Sequence, residues 1–250
     1  MANLKETTLA PMLRKLQYSG QLNEQDRQAV LDLPHTVKTL VAGAYIIRDG
    51  DLATHSCLLR SGFVYRQKIV GNGGRQICSI HMAGDLVDLQ NSLLGIADHS
   101  VQALTRVEVA FIPREAIKRI AFDRPEVGLA MWFDTLVDAS IFREWIANVG
   151  RRDARVRIAH LLCEFAIRLE AAGLGKRNEY TLPMTQEQLA DCTGLTPVHV
   201  NRTLKALGHD GVISRTVRSV TVDDWKRLAA EGDFNSAYLH MREDQLRLTQ

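Results

Sequence analysis

The amino-acid sequence predicts an α+β protein, with an N-terminal antiparallel barrel or sandwich, one long helix, and a C-terminal helical domain. Three observations predict it. Between Val37 and Pro113, short apolar segments are punctuated by glycine turns, the texture of an antiparallel sheet. After Arg124 and Pro125 the apolar spacing lengthens to three and four, as on one face of a helix. From Met184 to Leu207 the run MTQEQLADCTGLTPVHVNRTLKAL holds two Thr-led helix starts with one glycine between them. At 250 residues and 46% hydrophobic content the chain is long enough for two modest cores.

Each element follows in order. Thr7 to Leu33 reads as short helices carrying Leu13, Leu16, Leu22, Val30 and Leu31 at roughly helical spacing. Seven strands follow: VKTL, AYIIRDGD, HSCLLRSG, FVYRQKIV, RQICSIH, VQALT and VEVAFIP. GNGG, Gly71 to Gly74, joins two of them as a hairpin; it lacks the Lys-Ser/Thr of a phosphate loop, and no helix follows it. The long helix starts near Pro125. Its stripe of Leu129, Trp132, Phe133, Leu136, Ala139 and Ile146 is either ordinary core or a pairing surface. A helix that links two domains has few other surfaces to bury against, so pairing with a second copy is expected. A further helix runs from about Asp153 to Leu169 and ends in the polar loop GLGKRNEY. Beyond Gly211, VISRTVRSVTV reads as two short strands around a turn, and DDWKRLAA as a short helix. The tail from Phe234 reads as mobile or weakly helical. The expected divisions are 1–123, 124–150 (helix and hinge), 151–233 and a tail, 234–250.

The two capped helices carry the clearest chemistry. Thr185 accepts the orphan amide of Gln188 while the Gln188 side chain reaches back. Thr196 precedes Pro197, whose missing amide costs nothing in a first turn. Gly194 supplies the sharp turn between them, and Leu189, Ala190, Leu195, Val200 and Leu204 fall where the helices face each other and a core. This is the spacing of a helix-turn-helix, whose second helix enters a DNA major groove.

Composition excludes more than it names. Lys+Arg 31 against Asp+Glu 29 gives a formal net charge of +2, too small to imply nucleic acid by itself. No apolar run approaches the roughly 20 residues of a membrane span, and the N-terminus lacks a signal-peptide pattern, so a cytoplasmic protein without membrane contact is expected. Cys57, Cys78, Cys163 and Cys192 lie far apart with no CxxC, which reads as idle or buried thiols rather than a metal site. No nucleophile elbow or metal-ligand pattern stands out, so no catalytic residue is assigned and no enzyme is expected.

These residues together resemble the Crp/Fnr superfamily of bacterial transcription regulators over nearly the whole chain up to about Asp233. YIIRDGDLATHSCLLRSGFV and HMAGDLVDLQ are similar to its cyclic-nucleotide-binding β-roll. GRRDARVRIAHLL is similar to the hinge and first helix of its DNA-binding domain, and the helix-turn-helix run followed by GVI to the reader and the start of the wing. The resemblance implies a β-roll sensor or vestigial sensor, a dimerisation helix, and a C-terminal winged helix-turn-helix on double-stranded DNA at an inverted-repeat operator. RNA polymerase is an implied partner if the protein activates.

The departures matter too. Where cyclic-AMP-binding members carry a Gly-Glu-Leu corner and a later Arg-Ser pair, this sequence has Asp88-Leu89-Gln90 and His99-Ser100. These are the effector-pocket candidates. The added carboxylate and the lost guanidinium argue against cyclic AMP. No clustered cysteines precede Cys57, which argues against an iron-sulfur cluster; His55, His81 and His99 leave a haem open. No cofactor is predicted.

In the reading helix, Arg202 matches a family arginine and is expected to pair with guanine O6 and N7. Pro197 and Val198 replace the family's arginine and glutamate, so its best-known half-site is not expected. Val198 suits a thymine methyl; His199 and Asn201 donate to a base or a phosphate, or face solvent. Thr185 and Thr196 suit phosphates at helix starts, with Lys205, and Arg215 and Arg218 of the wing, gripping the backbone; the last two read equally as solvated surface. The competing reading is a small-molecule-binding module whose helix-turn-helix serves as a protein interface.

Overall fold

The computed structural model describes residues 7–241. The chain divides into two compact units, one of residues 1–68 and 79–139, the other of residues 69–78 and 140–250. The helix α5 (Pro125–Arg151) is shared between them.

α1 (Ala10–Ser19) and α2 (Glu24–Leu31) precede seven strands, which belong to the first unit except for residues 69–78: β1 (Thr36–Leu40), β2 (Tyr45–Ile47), β3 (His55–Ser61), β4 (Phe63–Ile69), β5 (Arg75–Met82), β6 (Ser100–Ala103) and β7 (Val107–Pro113). They form two sheets, β1-β7-β3 and β2-β6-β4-β5. The pairings of β7 with β1 and β3, and of β6 with β2 and β4, are antiparallel. Side chains alternate across a strand, and both faces of β3 and β7 are put to use. Leu59 and Val109 join Val64, Val101 and Val107 inside the roll, while Leu58 and Ala110 turn outward onto Leu13 and Leu16 of α1 and onto Ile117, Val127 and Met131. A one-residue slip of either strand would exchange the two sets. The GNGG hairpin is present, closed by Val70 N–H to the Gly74 carbonyl at 2.9 Å. Gly62 has φ +80, and a Cβ there would collide with the Arg106 carbonyl, so this corner admits only glycine.

Two helices of this unit were not read from the sequence. α3 (Asn91–Leu94) is a single turn. α4 (Arg114–Asp123) buries Ile117 and Ile120 and ends against Pro125. Its apolar spacing was present in REAIKRIAFD but short enough to pass for the end of the strand region.

The second unit is built on α6 (Ala154–Ala171), capped by Asp153 through the amides of Arg155 and Val156. Around it lie α7 (Gln186–Thr193), α8 (Pro197–His209) and α9 (Trp225–Glu231), with the sheet β8-β10-β9 made by β8 (Glu179–Thr181), β9 (Ile213–Arg215) and β10 (Ser219–Val222). The polar loop expected at GLGKRNEY therefore contains a strand, β8, whose partner β10 lies some 40 residues on. The start of the tail is weakly helical, one of its two expected forms. Ser236–Leu239 is a 3-10 turn, and Phe234 and Tyr238 pack on the His160 ring at 5.2 and 5.8 Å between centroids. The buried Glu164 carboxylate accepts from Tyr238 Oη at 2.8 Å and from Trp145 Nε1 at 2.9 Å. Residues 242–250 lie outside the described range.

Candidate nucleic-acid interface and the roll interior

The helix-turn-helix forms by its local caps. Gln188 N–H donates to Thr185 Oγ1 at 3.2 Å, and Thr185 N–H to Gln188 Oε1 at 2.9 Å. Gly194 takes the left-handed conformation, φ +62, and Leu195 N–H returns to the Ala190 carbonyl at 3.1 Å, closing the helix end as such glycines do. His199 N–H then donates to Thr196 Oγ1 at 3.3 Å, opening α8. Leu189, Ala190, Val200, Leu204 and Leu207 are buried, and Leu195 is half-buried. With that face used, α8 turns Val198, Arg202 and Lys205 outward along one stripe, at i, i+4 and i+7. His199 is exposed and Asn201 half-buried. Val198 is 75% exposed, a position for an apolar contact rather than for packing. Thr185 and Thr196 use their oxygens as caps, and each hydroxyl keeps its own proton to donate.

Two sets of basic residues in this unit are held differently. Arg152 pairs with Glu144 at 2.6 Å, Arg155 with Glu231 at 2.6 Å and Asp210 at 2.8 Å, and Arg227 with Glu231 at 3.0 Å. Arg157 donates to the carbonyls of Arg152 and Thr193. These arginines brace helices. By contrast Arg202, Lys205, Arg215 and Arg218 are exposed and make no ion pair among the described residues. Arg215 and Arg218 flank the wing turn, where Thr216 N–H meets the Ser219 carbonyl at 3.0 Å and Val217 is 90% exposed. Cations without a protein partner suit an outside polyanion, and apolar tips between them suit close approach to a groove.

In the first unit the effector candidates do not converge on one donor set. Asp88 is fully buried, and its Oδ1 accepts Cys57 N–H at 2.7 Å, bracing β3. Burial pushes its pKa up to about 6, against the Cys57 amide bond, which lowers it. Leu89 is buried in the apolar cluster outside the roll, and Gln90 is half-buried. His99 Nδ1 lies 2.6 Å from Asp98 Oδ1, and burial with the nearby Arg66 holds its pKa below the usual value. Ser100 Oγ accepts Asp49 N–H at 3.0 Å.

The group that sequence reasoning missed is Arg66. It is 3% exposed on the inner face of β4, with Nη1 on Asp138 Oδ2 of α5 at 3.0 Å and Nη2 on the Val87 carbonyl at 2.6 Å. Burial would raise the Asp138 pKa, but Arg66, with His81 and Lys15, holds the carboxyl below its ordinary value. Beside them Lys15 bridges Asp85 at 2.5 Å and Asp134 at 3.1 Å. Burial lowers the Lys15 pKa less than these two carboxylates raise it, so the ammonium is held well above its ordinary range. The signal for Arg66 was an arginine two residues after Val64, at an inward position of an alternating strand.

The long helix buries Val127, Ala130, Met131, Ile141 and Trp145 and turns the other face out. Leu129, Trp132, Leu136 and Ile146 are 51%, 63%, 51% and 72% exposed, Phe133 is 38% exposed, and Ala139 is half-buried. Scattered apolar residues on a surface are ordinary; a stripe of large ones along one helix is not.

Two family models match the chain: a Crp-like helix-turn-helix domain over residues 156–231 and a cyclic nucleotide-binding domain over residues 37–124. The transcriptional activator protein FnrL of Cereibacter sphaeroides is 30% identical over 217 residues, covering 85% of this chain and 87% of that protein. The nitrogen fixation regulation protein FixK of Azorhizobium caulinodans is 28% identical over 169 residues, covering 68% and 67%. Among solved structures, FixK2 from Bradyrhizobium japonicum has a TM-score of 0.71 at 22% identity, covering 79% of this chain and 97% of that one, a likeness of fold. No helix among the described residues is long and apolar enough to cross a membrane.

Proposed function

The chain belongs to the Crp/Fnr superfamily of DNA-binding transcription regulators, and from that premise we propose that it reads an inverted-repeat operator as a homodimer. In this reading α8 lies in the major groove. Arg202 takes guanine O6 and N7, Val198 meets a thymine methyl, and His199 and Asn201 reach a neighbouring base or phosphate. Lys205, Arg215 and Arg218, with the hydroxyls of Thr185 and Thr196, hold the phosphates. The observation that carries the reading is the sorting of cations: Arg155, Arg157 and Arg168 of α6 and Arg227 of α9 are held by carboxylates or carbonyls, while Arg202, Lys205, Arg215 and Arg218 on α8 and the wing are exposed and make no ion pair among the described residues.

The homodimer rests on the outward stripe of α5. Leu129, Trp132, Phe133, Leu136 and Ile146 leave an apolar face that a second α5 covers, with Ala139 small enough for close approach. A symmetric pair places two reading helices about one DNA turn apart. Because the relatives include named transcriptional activators, we assign RNA polymerase as the partner when the protein activates, and the cytoplasm as its place.

Cyclic AMP is not the effector in this reading. The phosphate-side position is His99, held by Asp98, and the interior guanidinium, Arg66, is committed to Asp138 and Val87. A cyclic phosphate would meet the buried Asp88 carboxyl instead of an added donor. Nor do the cysteines suit an iron-sulfur cluster: Cys57, Cys163 and Cys192 are buried singly.

Selection of binding sites from a random duplex library, with the full chain and no added ligand, tests the reading. Enrichment of an inverted repeat with half-sites about one helical turn apart is expected, together with a steep fall of affinity with salt. Absence of a repeated half-site, or salt-independent binding, would overturn it. For the dimer, Trp132→Glu is expected to give monomers by sedimentation at micromolar concentration and to lose operator binding; an unchanged sedimentation coefficient would remove this face from the interface.

A further inference from the structure

The tip of the β4–β5 hairpin, residues 69–78, clusters with the helix-turn-helix rather than with the remainder of its own strands. Its side chains close the end of α7. Arg75 Nε and Nη2 both reach Asp191 Oδ2 at 2.6 Å. Gln76 Nε2 donates to the Asp191 carbonyl at 2.7 Å and lies 3.5 Å from that of Cys192. Arg157 Nη1 takes the Thr193 carbonyl at 2.9 Å.

The last four carbonyls of a helix have no partner within it. At the end of α7 the Ala190 carbonyl is taken by the turn, and those of Asp191 and Thr193 by side chains from outside. The placement of Asp191 is itself unfavourable: a carboxylate in a last turn opposes the helix dipole, and the first helix of such a motif crosses a negatively charged backbone. Arg75 compensates that charge and anchors it in one geometry.

We propose that Arg75 and Gln76 are positioning residues for DNA reading: by closing the end of α7 they fix the Gly194 turn, and with it the angle at which α8 meets the groove. They touch α7, not DNA. The inference rests on α8 being the reading helix and adds what holds that helix in register.

The test uses the full chain and the duplex it selects from a random library, with affinity read by fluorescence anisotropy and the turn by hydrogen exchange at Gly194 and Leu195. Arg75→Ala and Gln76→Ala are each expected to weaken the selected duplex about five- to tenfold, to change a scrambled duplex less than about twofold, and to speed exchange at the turn. Arg75→Asp and Asp191→Arg should each be worse, and their combination should regain affinity to within about threefold of the parent. That rescue separates positioning from general loss of fold, since two reversals in one protein would otherwise damage it more than either alone. Unchanged affinity in the two alanine variants, or a double reversal no better than the single ones, overturns the proposal. Arg202→Ala is measured in parallel. If it loses selectivity while the hairpin variants are silent, α8 still reads and only the positioning role falls; if it too is silent, the reading of α8 falls as well.

Discussion

The roll with its packed helices, and the outer face of α8 with the wing, treat their charged groups in opposite ways. In the roll and in the helices packed on it, Arg66, Asp138, Lys15, Asp85 and Asp134 are each held by an opposite charge. On α8 and the wing Arg202, Lys205, Arg215 and Arg218 are exposed and make no ion pair among the described residues. An interior charge removed from water demands its partner at once, whereas an exposed one stays solvated until a ligand arrives. The difference separates charges that serve the fold from charges that, in the proposed reading, serve binding, and it fixes which measurement each substitution should move.

The largest expected effect is in the roll. Arg66→Met leaves the Asp138 carboxylate and the Val87 carbonyl without their donor, and a loss of about 2 to 4 kcal/mol of stability is expected. Urea denaturation measures it; a loss below about 1 kcal/mol would place Arg66 among the charges that the fold does not need. Next is Asp88→Asn, with the opposite sign. The folded-state pKa of about 6 lies above the ordinary value of 3.8, so the folded chain holds the proton more tightly than the unfolded one. Stability therefore falls as pH rises from about 4 to about 6 and is level above that. The asparagine keeps an acceptor for Cys57 N–H and removes the charge, so it should gain up to about 3 kcal/mol at pH 8 and flatten the profile between pH 4 and 6. A variant with the parent's pH profile would contradict the assignment.

On the reading face stability should not move. Arg202→Ala is expected to cost about 1 to 3 kcal/mol on the selected operator and to relax the preference at one base pair per half-site. Equal weakening on every sequence would make Arg202 a phosphate contact. The smallest effect is that of Lys205→Ala, which should weaken binding evenly across sequences and shallow the salt dependence by about one unit of slope. An unaltered slope would leave Lys205 as solvated surface.

Local signals were legible in the sequence and distant ones were not. The Thr185 and Gln188 box, the Thr196-Pro197 start and the Gly194 turn each depend on residues within four positions, and each formed as read. β8 was hidden because three residues, EYT, carry little pattern of their own and become a strand by pairing with β10. α4 was obscured by its short apolar stripe. The basic residues of the C-terminal half could be counted in sequence but not sorted, because Arg155 finds Glu231 only after 76 intervening steps of chain. Likewise Arg66 meets Asp138 across 72 and Arg75 meets Asp191 across 116. Asp88 was read as a pocket residue from its place in the corner; its use as a brace on Cys57 N–H depends on how β3 lies against that corner.

The membership of residues 69–78 in the second unit has a consequence for inheritance. The unit that holds the helix-turn-helix is not one continuous stretch of coding sequence; ten codons of it lie within the stretch that matches the cyclic nucleotide-binding domain. A recombination that exchanged sensors between two such regulators at the long helix would carry away Arg75 and Gln76 with the donated segment and leave Asp191 facing a stranger's hairpin. If the hairpin positions the reader as proposed, an exchange of rolls between two such regulators calls for a compensating change at that contact.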